Sequence, residues 1–171
     1  MNETLSCLTD RRLFAFQDGE NSFYLLYKNA VPISSVNGKR FYLQITQVCS
    51  AIELDDGTFK AHTREYSYVF SDSSAPTKHG IVSYHWHPEE FNLRTPHLHL
   101  RITPHVASPE IEHLISKAHF PTSRVCLEDF VDLLLKYYDI RSPLRPNDYR
   151  RILRKNKRAF SKGASWTVNH P

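Results

Sequence analysis

Two stretches in the middle of the chain alternate apolar and polar residues with the period of a half-buried β-strand. The first covers residues 81–87 and the second covers residues 96–102. Their apolar faces carry Val82, Tyr84 and Trp86, and Pro96, Leu98, Leu100 and Ile102. Their polar faces carry Ser83, His85 and His87, and His97, His99 and Arg101. The eight residues between the stretches suffice for an antiparallel hairpin, which would bring four imidazoles and one guanidinium onto one patch of sheet.

Other parts of the chain predict further strands. Residues 11–33 predict one or two short strands, because an aromatic, apolar run follows a turn-like segment there. A second hairpin is predicted by Phe41–Val48 and Phe59–Phe70, with Asp55–Thr58 as its turn. The polar, proline-containing segment Ser71–Lys78 predicts a loop before the first histidine strand.

Three helices are predicted after the histidine strands. Ser108–Ala118 starts with a serine N-cap, a proline and acidic residues, and Val125–Tyr138 carries apolar residues at helical spacing. Asn147–Phe160 predicts a third helix, which is strongly basic. The fold class is therefore α+β, an antiparallel sheet with helices packed on one face. Residues 1–140 form the histidine-rich domain with its packing helix, and residues 141–171 form a basic helical extension of it.

Composition narrows the class of protein. A chain of 171 residues with 40% hydrophobic residues suits one globular domain. No apolar run approaches the roughly 20 residues that span a bilayer, and the N-terminus lacks the pattern of a signal peptide. Three scattered cysteines indicate reduced thiols rather than a disulfide framework. These features predict a cytoplasmic protein with no membrane partner.

The net charge of +4 is unevenly distributed. Residues 141–171 carry nine Lys and Arg against one Asp, a net +8, so the first 140 residues sum to −4. A basic tail on a mildly acidic body predicts contact with a polyanion such as RNA, or with an acidic protein partner. A solubilising charged helix is the alternative. The residues predicted to hold backbone phosphates are Arg150, Arg151, Arg154, Lys155 and Arg158.

The histidine patch allows cleavage of RNA without a metal, because imidazole titrates near neutral pH. One imidazole would take the proton of a 2′-hydroxyl and another would donate a proton to the leaving 5′-oxygen. Arg101 would stabilise the charge that grows on the phosphorane. The candidate catalytic residues are His85, His87, His97, His99 and Arg101. Tyr66 and Tyr68 could stack on bases if their face of the sheet is open.

Metal binding is the alternative reading of the same patch. Three imidazoles with Glu89 or Glu90 could hold zinc or another divalent ion that activates water. A purely structural metal in a non-enzymatic protein-interaction module is also possible, with the candidate ligands His85, His87, His97 and His99. The other histidines are weaker candidates, of which His119 could reach the site from a loop before the long helix.

The run Pro96–Ile102 resembles the signature of the histidine-triad nucleotide hydrolases, with Arg101 in the place of the third histidine. This resemblance implies nucleotide hydrolysis or nucleotidyl transfer through His99. A broader pattern consists of Tyr66-Ser67-Tyr68, a Tyr/His-rich strand, Pro96-His97-Leu98-His99 and a Leu-rich acidic helix. It is similar to small bacterial toxins of the TumE-like type. That similarity implies a toxin–antitoxin component that acts on RNA, with a cognate antitoxin as partner.

Overall fold

The structure is a computed structural model, and it describes residues 1–17, 19, 22–53, 55, 59–75, 80–88, 95–101 and 109–163. The strands in this part of the chain are β1 (Phe14–Gln17), β2 (Ser22–Leu26), β3 (Val31–Ser34), β4 (Arg40–Glu53), β5 (Phe59–Ser71), β6 (Val82–Trp86), β7 (His97–Leu100) and β8 (Phe120–Pro121). The helices are α1 (Asn2–Leu5), α2 (Pro109–Lys117), α3 (Leu127–Tyr137) and α4 (Pro146–Gly163).

The strands form one antiparallel sheet in the order β1-β2-β4-β5-β6-β7-β8, and β3 pairs with β4 outside this path. The long hairpin of β4 and β5 forms its centre, and the histidine hairpin of β6 and β7 extends it on one side. Both predicted hairpins and the α+β class are confirmed. The predicted turn Asp55–Thr58, except Asp55, and the end of the predicted loop Ser71–Lys78 lie outside the described residues.

One face of the sheet forms the apolar core. Residues that pair across β5 and β6 point to the same face of the sheet. Tyr68 pairs with Tyr84, and the ring of Phe130 on α3 lies 5.7 Å from the first and 6.0 Å from the second. Phe130, Val131 and Leu134 of α3 are all fully buried. Helix α3 therefore covers the predicted apolar face, and truncating a ring such as Phe130 to alanine would cost about 3–5 kcal/mol.

Two local expectations need correction, and one helix was not expected. The prediction that Tyr66 and Tyr68 could stack on bases is wrong, because both lie in the core under α3 and are almost fully buried. The segment that follows His119, predicted as a loop before the long helix, contains the two-residue strand β8, which pairs with β7. The short helix α1, which the sequence did not predict, packs against α3 and α4. Within the described residues, no helix has both the length and the apolar character needed to cross a membrane.

Candidate metal centre

Three neighbouring strands bring histidines to the face of the sheet opposite the apolar core. His85 on β6 pairs with His97 on β7, and Ser83 pairs with His99. On the other side of β7, Leu98 pairs with Phe120 of β8. The antiparallel register therefore sets His119, the residue before Phe120, opposite His99. Because strand side chains alternate between faces, these histidines share one face.

The rings of these histidines converge. The ring of His119 has its centroid 4.9 Å from that of His97 and 4.4 Å from that of His99, and the rings of His97 and His99 are 5.1 Å apart. One ligand nitrogen from each lies within 4.8 Å of the other two. Tetrahedral zinc with Zn–N bonds of about 2.0–2.1 Å needs nitrogens roughly 3.4 Å apart. Side-chain rotations that move each nitrogen by about an ångström would therefore bring the three imidazoles within bonding distance of one ion.

Most of the cluster is buried, whereas the cleavage of RNA proposed from the sequence would need an open histidine face. His85, His97 and His99 are 7%, 5% and 3% exposed, whereas His119 is exposed. An RNA backbone could not place a 2′-hydroxyl against side chains so enclosed without movement of their surroundings. A small ion could reach them from the side of His119.

The orientation of His97 suits a metal ligand. Its Nδ1 lies 3.2 Å from the backbone oxygen of Thr95. Because a carbonyl oxygen can only accept, this contact favours the tautomer with the proton on Nδ1, in which Nε2 is the nitrogen able to ligate a metal. Ligating histidines in metal sites typically donate their second nitrogen to a backbone carbonyl or carboxylate in this way. The hydrogen bond to Thr95 therefore presets His97 for ligation through Nε2.

The histidine pair on β6 has different partners. Nδ1 of His87 lies 3.5 Å from a carboxylate oxygen of Glu65, and its Nε2 lies 3.4 Å from Nδ1 of His85. His85 in turn packs against His97 and His99, with ring centroids 5.9 and 5.3 Å apart. The ligand set that converges is thus His97, His99 and His119, whereas the sequence analysis proposed His85 and His87 with the β7 pair. Glu89 and Glu90, the carboxylates proposed as further ligands, lie outside the described residues.

Arg101, proposed to stabilise a transition state, is engaged elsewhere. Its guanidinium donates to the carboxylate of Asp72 at 2.5 Å. The hydrogen bond from Arg101 holds the pKa of Asp72 below its ordinary value of 3.8. Arg101 therefore ties the end of β7 to the end of β5 and does not point at the histidine cluster.

The basic residues proposed to hold phosphates are exposed on α4, and they are Arg150, Arg151, Arg154, Lys155 and Arg158. Helix α4 packs against α3 and α1, so it lies on the core side of the sheet, across from the histidines. Some of these cations are paired: Lys155 contacts Glu3 at 3.1 Å, and Arg151 lies 3.9 Å from Asp148. The histidines and the basic helix consequently do not form one continuous surface.

The three cysteines are not suited to nucleophilic or metal chemistry. All are buried and form no disulfide. Burial raises the pKa of the Cys7 thiol to about 11 and that of Cys126 to about 12, and it also raises the pKa of Cys49. Because the thiolate is the reactive and ligating form, these cysteines stay protonated near neutral pH.

Comparisons of the chain with family models, curated proteins and solved structures found no match. The functional reading therefore depends on the geometry of the site alone.

Proposed function

We propose that this protein binds one divalent transition-metal ion through His97, His99 and His119 and uses it for hydrolysis. Zinc is the leading candidate for this ion. The observation that supports this is the convergence of three imidazole nitrogens within 4.8 Å on one sheet face. Neutral imidazole is a preferred ligand of zinc, and sites with three protein ligands are typical of catalytic rather than structural zinc. Structural sites are usually closed by a fourth protein ligand.

The chain's own residues define how such a centre would work. Two ligands lie on β7, and the third, His119, directly precedes β8, whose pairing with β7 limits the position of His119 before any ion arrives. Thr95 holds the tautomer of His97, and the exposed side of His119 leaves a path for substrate. A bound zinc ion would polarise a substrate oxygen and lower the pKa of water.

The test is metal content together with metal-dependent hydrolysis. Protein stripped with a chelator, reloaded with zinc and desalted should retain about one zinc ion per chain, and His119→Ala protein should retain almost none. His62→Ala is the matched control, because His62 is a half-buried histidine on β5 outside the ligand set. Phosphodiester and carboxyl-ester model substrates should be hydrolysed by zinc-loaded wild type and zinc-loaded His62→Ala, and not by the stripped proteins or by His119→Ala. Equal zinc retention in wild type and His119→Ala would overturn the assignment.

The sequence also predicted metal-free cleavage of RNA, and one observation favours it as the second candidate. The rings of His85, His87, His97 and His99 form an unbroken cluster, with neighbouring centroids 5.1 to 5.9 Å apart. RNA incubated with the protein in excess chelator should then yield 2′,3′-cyclic phosphate ends, and His99→Ala should not cleave. Slower growth of bacteria that express wild type, but not His99→Ala, would support a toxin with a cognate antitoxin. Intact RNA in chelator excludes this candidate.

We also propose a cytoplasmic location, which three buried cysteines without a disulfide support. Partners of the basic helix, whether RNA or an acidic protein, remain part of this proposal.

A further inference from the structure

The edge strand β1 exposes a stripe of aromatic side chains. All four of its residues are exposed, and Phe14 and Phe16 are each 52% exposed. The ring of Phe16 stacks on Tyr24 of β2, with centroids 4.9 Å apart and planes 6° from parallel. Single exposed apolar residues are common on protein surfaces, whereas a contiguous aromatic stripe marks a binding surface. The outer faces of these rings are the part of the stripe that a ligand could cover.

A cluster of cations adjoins the aromatic stripe. Arg11, Arg12 and Lys28 line a concavity of about 390 Å³ together with Phe14, and no carboxylate is among its lining residues. The ammonium of Lys28 lies 4.8 Å from the centre of the Phe14 ring. No carboxylate in the described part of the chain forms an ion pair with these three cations. Within the described residues, the concavity therefore carries positive charge that no ion-paired carboxylate offsets, beside an exposed aromatic ring.

We propose that this surface, formed by Arg11, Arg12, Phe14, Phe16 and Lys28, binds single-stranded nucleic acid. Bases would stack on Phe14 and Phe16, and backbone phosphates would contact the three cations. Exposed aromatic rings interleaved with cations are the combination by which proteins hold single strands without reading their sequence. A double helix offers no open base faces, so it would gain only from the cations.

The edge of β1 could instead pair with an extended polypeptide or with a second copy of the chain. An open strand edge offers unpaired backbone groups to such a partner. Backbone pairing of this kind, however, would not supply an anionic partner for the three cations. Charge complementarity thus favours a polyanion as the occupant.

The proposed surface lies on the same face of the sheet as the histidines. Tyr24 pairs with Val48, Val48 pairs with Glu65, and the carboxylate of Glu65 contacts His87. Strands lie about 4.8 Å apart, so β1 and β6 are separated by about 19 Å. A bound strand of several nucleotides could extend across this face toward His87. The binding claim does not require the metal centre to be correct.

The test is fluorescence anisotropy with labelled 12-mers of oligo(U) and oligo(dT) and with a duplex of the same length. A chelator is present, so that no metal-dependent reaction occurs. Wild type should bind both single strands more tightly than the duplex. Replacing Phe14 and Phe16 by alanine should weaken single-strand binding about 5- to 100-fold for each ring removed. Replacing Arg11, Arg12 and Lys28 by alanine should reduce the salt slope by about 2, because each phosphate contact contributes about 0.7.

Matched variants decide whether this surface is responsible. Tyr137→Ala removes an aromatic ring that is 78% exposed on α3, and it should leave binding unchanged. The triple change Arg150→Ala, Arg151→Ala, Arg154→Ala removes the same number of cations from α4, the other candidate surface for a polyanion, and tests whether binding depends on that surface instead. Thermal melts of every variant establish that each one is folded.

Several results would overturn the proposal. These are undetectable binding by wild type, duplex binding as tight as single-strand binding, or loss of binding in the α4 variant but not in the β1 variants. A Phe14→Ala, Phe16→Ala variant that binds normally but converts a dimer to a monomer would assign the edge to a second copy. Tighter binding of oligo(U) than of oligo(dT) would identify RNA as the ligand, and equal binding would support either nucleic acid.

Discussion

The two histidine pairs have the same local pattern but different surroundings. His85 and His87 on β6, like His97 and His99 on β7, place two imidazoles on one face of a strand. Next to β7, the two-residue strand β8 sets His119 opposite His99. The strand next to β6 is β5, which places Ser67 beside His85 and Glu65 beside His87 instead of a further imidazole. Within the described residues, only the β7 pair is joined by a third imidazole whose ligand nitrogen lies within 4.8 Å of both others. The neighbouring strand therefore decides which H-x-H pair can complete a compact ligand set.

The largest expected effect comes from removing the third imidazole. His119→Ala should lower zinc affinity more than roughly 100-fold, because even residues that only orient a ligand contribute 10- to 100-fold. His87→Ala removes an imidazole from the other pair and should change the affinity less than about tenfold. Competition titrations with a coloured zinc chelator measure both constants. Similar losses in the two variants would mean that the pairs act as one site.

Zinc should also stabilise the folded protein. Zinc at 100 times its dissociation constant should add about 2.7 kcal/mol to the free energy of unfolding, if zinc binds only the folded chain. For a domain of this size, that corresponds to a rise of about 5–10 °C in the melting temperature. The rise should persist in His87→Ala and vanish in His119→Ala, as followed by circular dichroism. A rise of equal size in both variants would point to zinc bound elsewhere.

A smaller effect is expected from the carboxylate beside the β6 pair. Glu65→Gln keeps the size of the side chain but removes the charge that contacts Nδ1 of His87. The contact is partly exposed, so the free energy of unfolding should fall by less than about 1 kcal/mol. Zinc affinity should stay within tenfold of wild type. Urea unfolding and zinc titration of the same preparation check both values, and loss of zinc binding would show that Glu65 supports the ligand set.

The smallest effect is expected from Arg101, which lies two residues after His99, just beyond the end of β7. Arg101 lowers the pKa of Asp72, so the folded state binds this proton less readily than the unfolded state. The pair should therefore stabilise the fold above pH 3.8, and this contribution should be lost as the pH falls through the lowered pKa of Asp72. Both side chains are more than a third exposed, so the contribution should stay below about 1 kcal/mol.

Arg101→Gln tests this assignment. The free energy of unfolding, measured with urea, should differ from wild type more at pH 7 than at pH 3. Zinc binding should be unchanged, and Asp72→Asn should give the same result. A large loss of zinc affinity in Arg101→Gln would show that Arg101 does support the metal centre.

Local pattern was sufficient to predict much of the fold. Period-2 alternation predicted the histidine hairpin, and strand-forming residues on both sides of a turn predicted the hairpin of β4 and β5. The capping and apolar spacing of the later helices predicted α2 and α3 to within two residues. It did not predict β8, because a two-residue strand containing Pro121 has no periodicity of its own and forms only by pairing with β7. The short helix α1 depends in the same way on tertiary contacts with α3 and α4.

The candidate site was predicted in part. Alternation placed His97 and His99 on one face, but the third ligand depends on a register that no local signal in the sequence reports. His119 was noted only as a residue that could reach the site from a loop. The burial of the cluster and the pairing of Arg101 with Asp72 are likewise consequences of packing between distant segments. Because both pairs have the same H-x-H spacing, the spacing alone does not distinguish them.

X-ray absorption spectroscopy at the zinc edge of reloaded protein tests the central claim most directly, since it counts imidazole ligands around the ion. We expect three nitrogen ligands from imidazoles at about 2.0–2.1 Å in wild type and in His87→Ala, and almost no bound zinc in reloaded and desalted His119→Ala. A spectrum without imidazole scattering, or a ligand count that falls in His87→Ala but not in His119→Ala, would contradict the assignment of the metal centre to the β7 pair and His119.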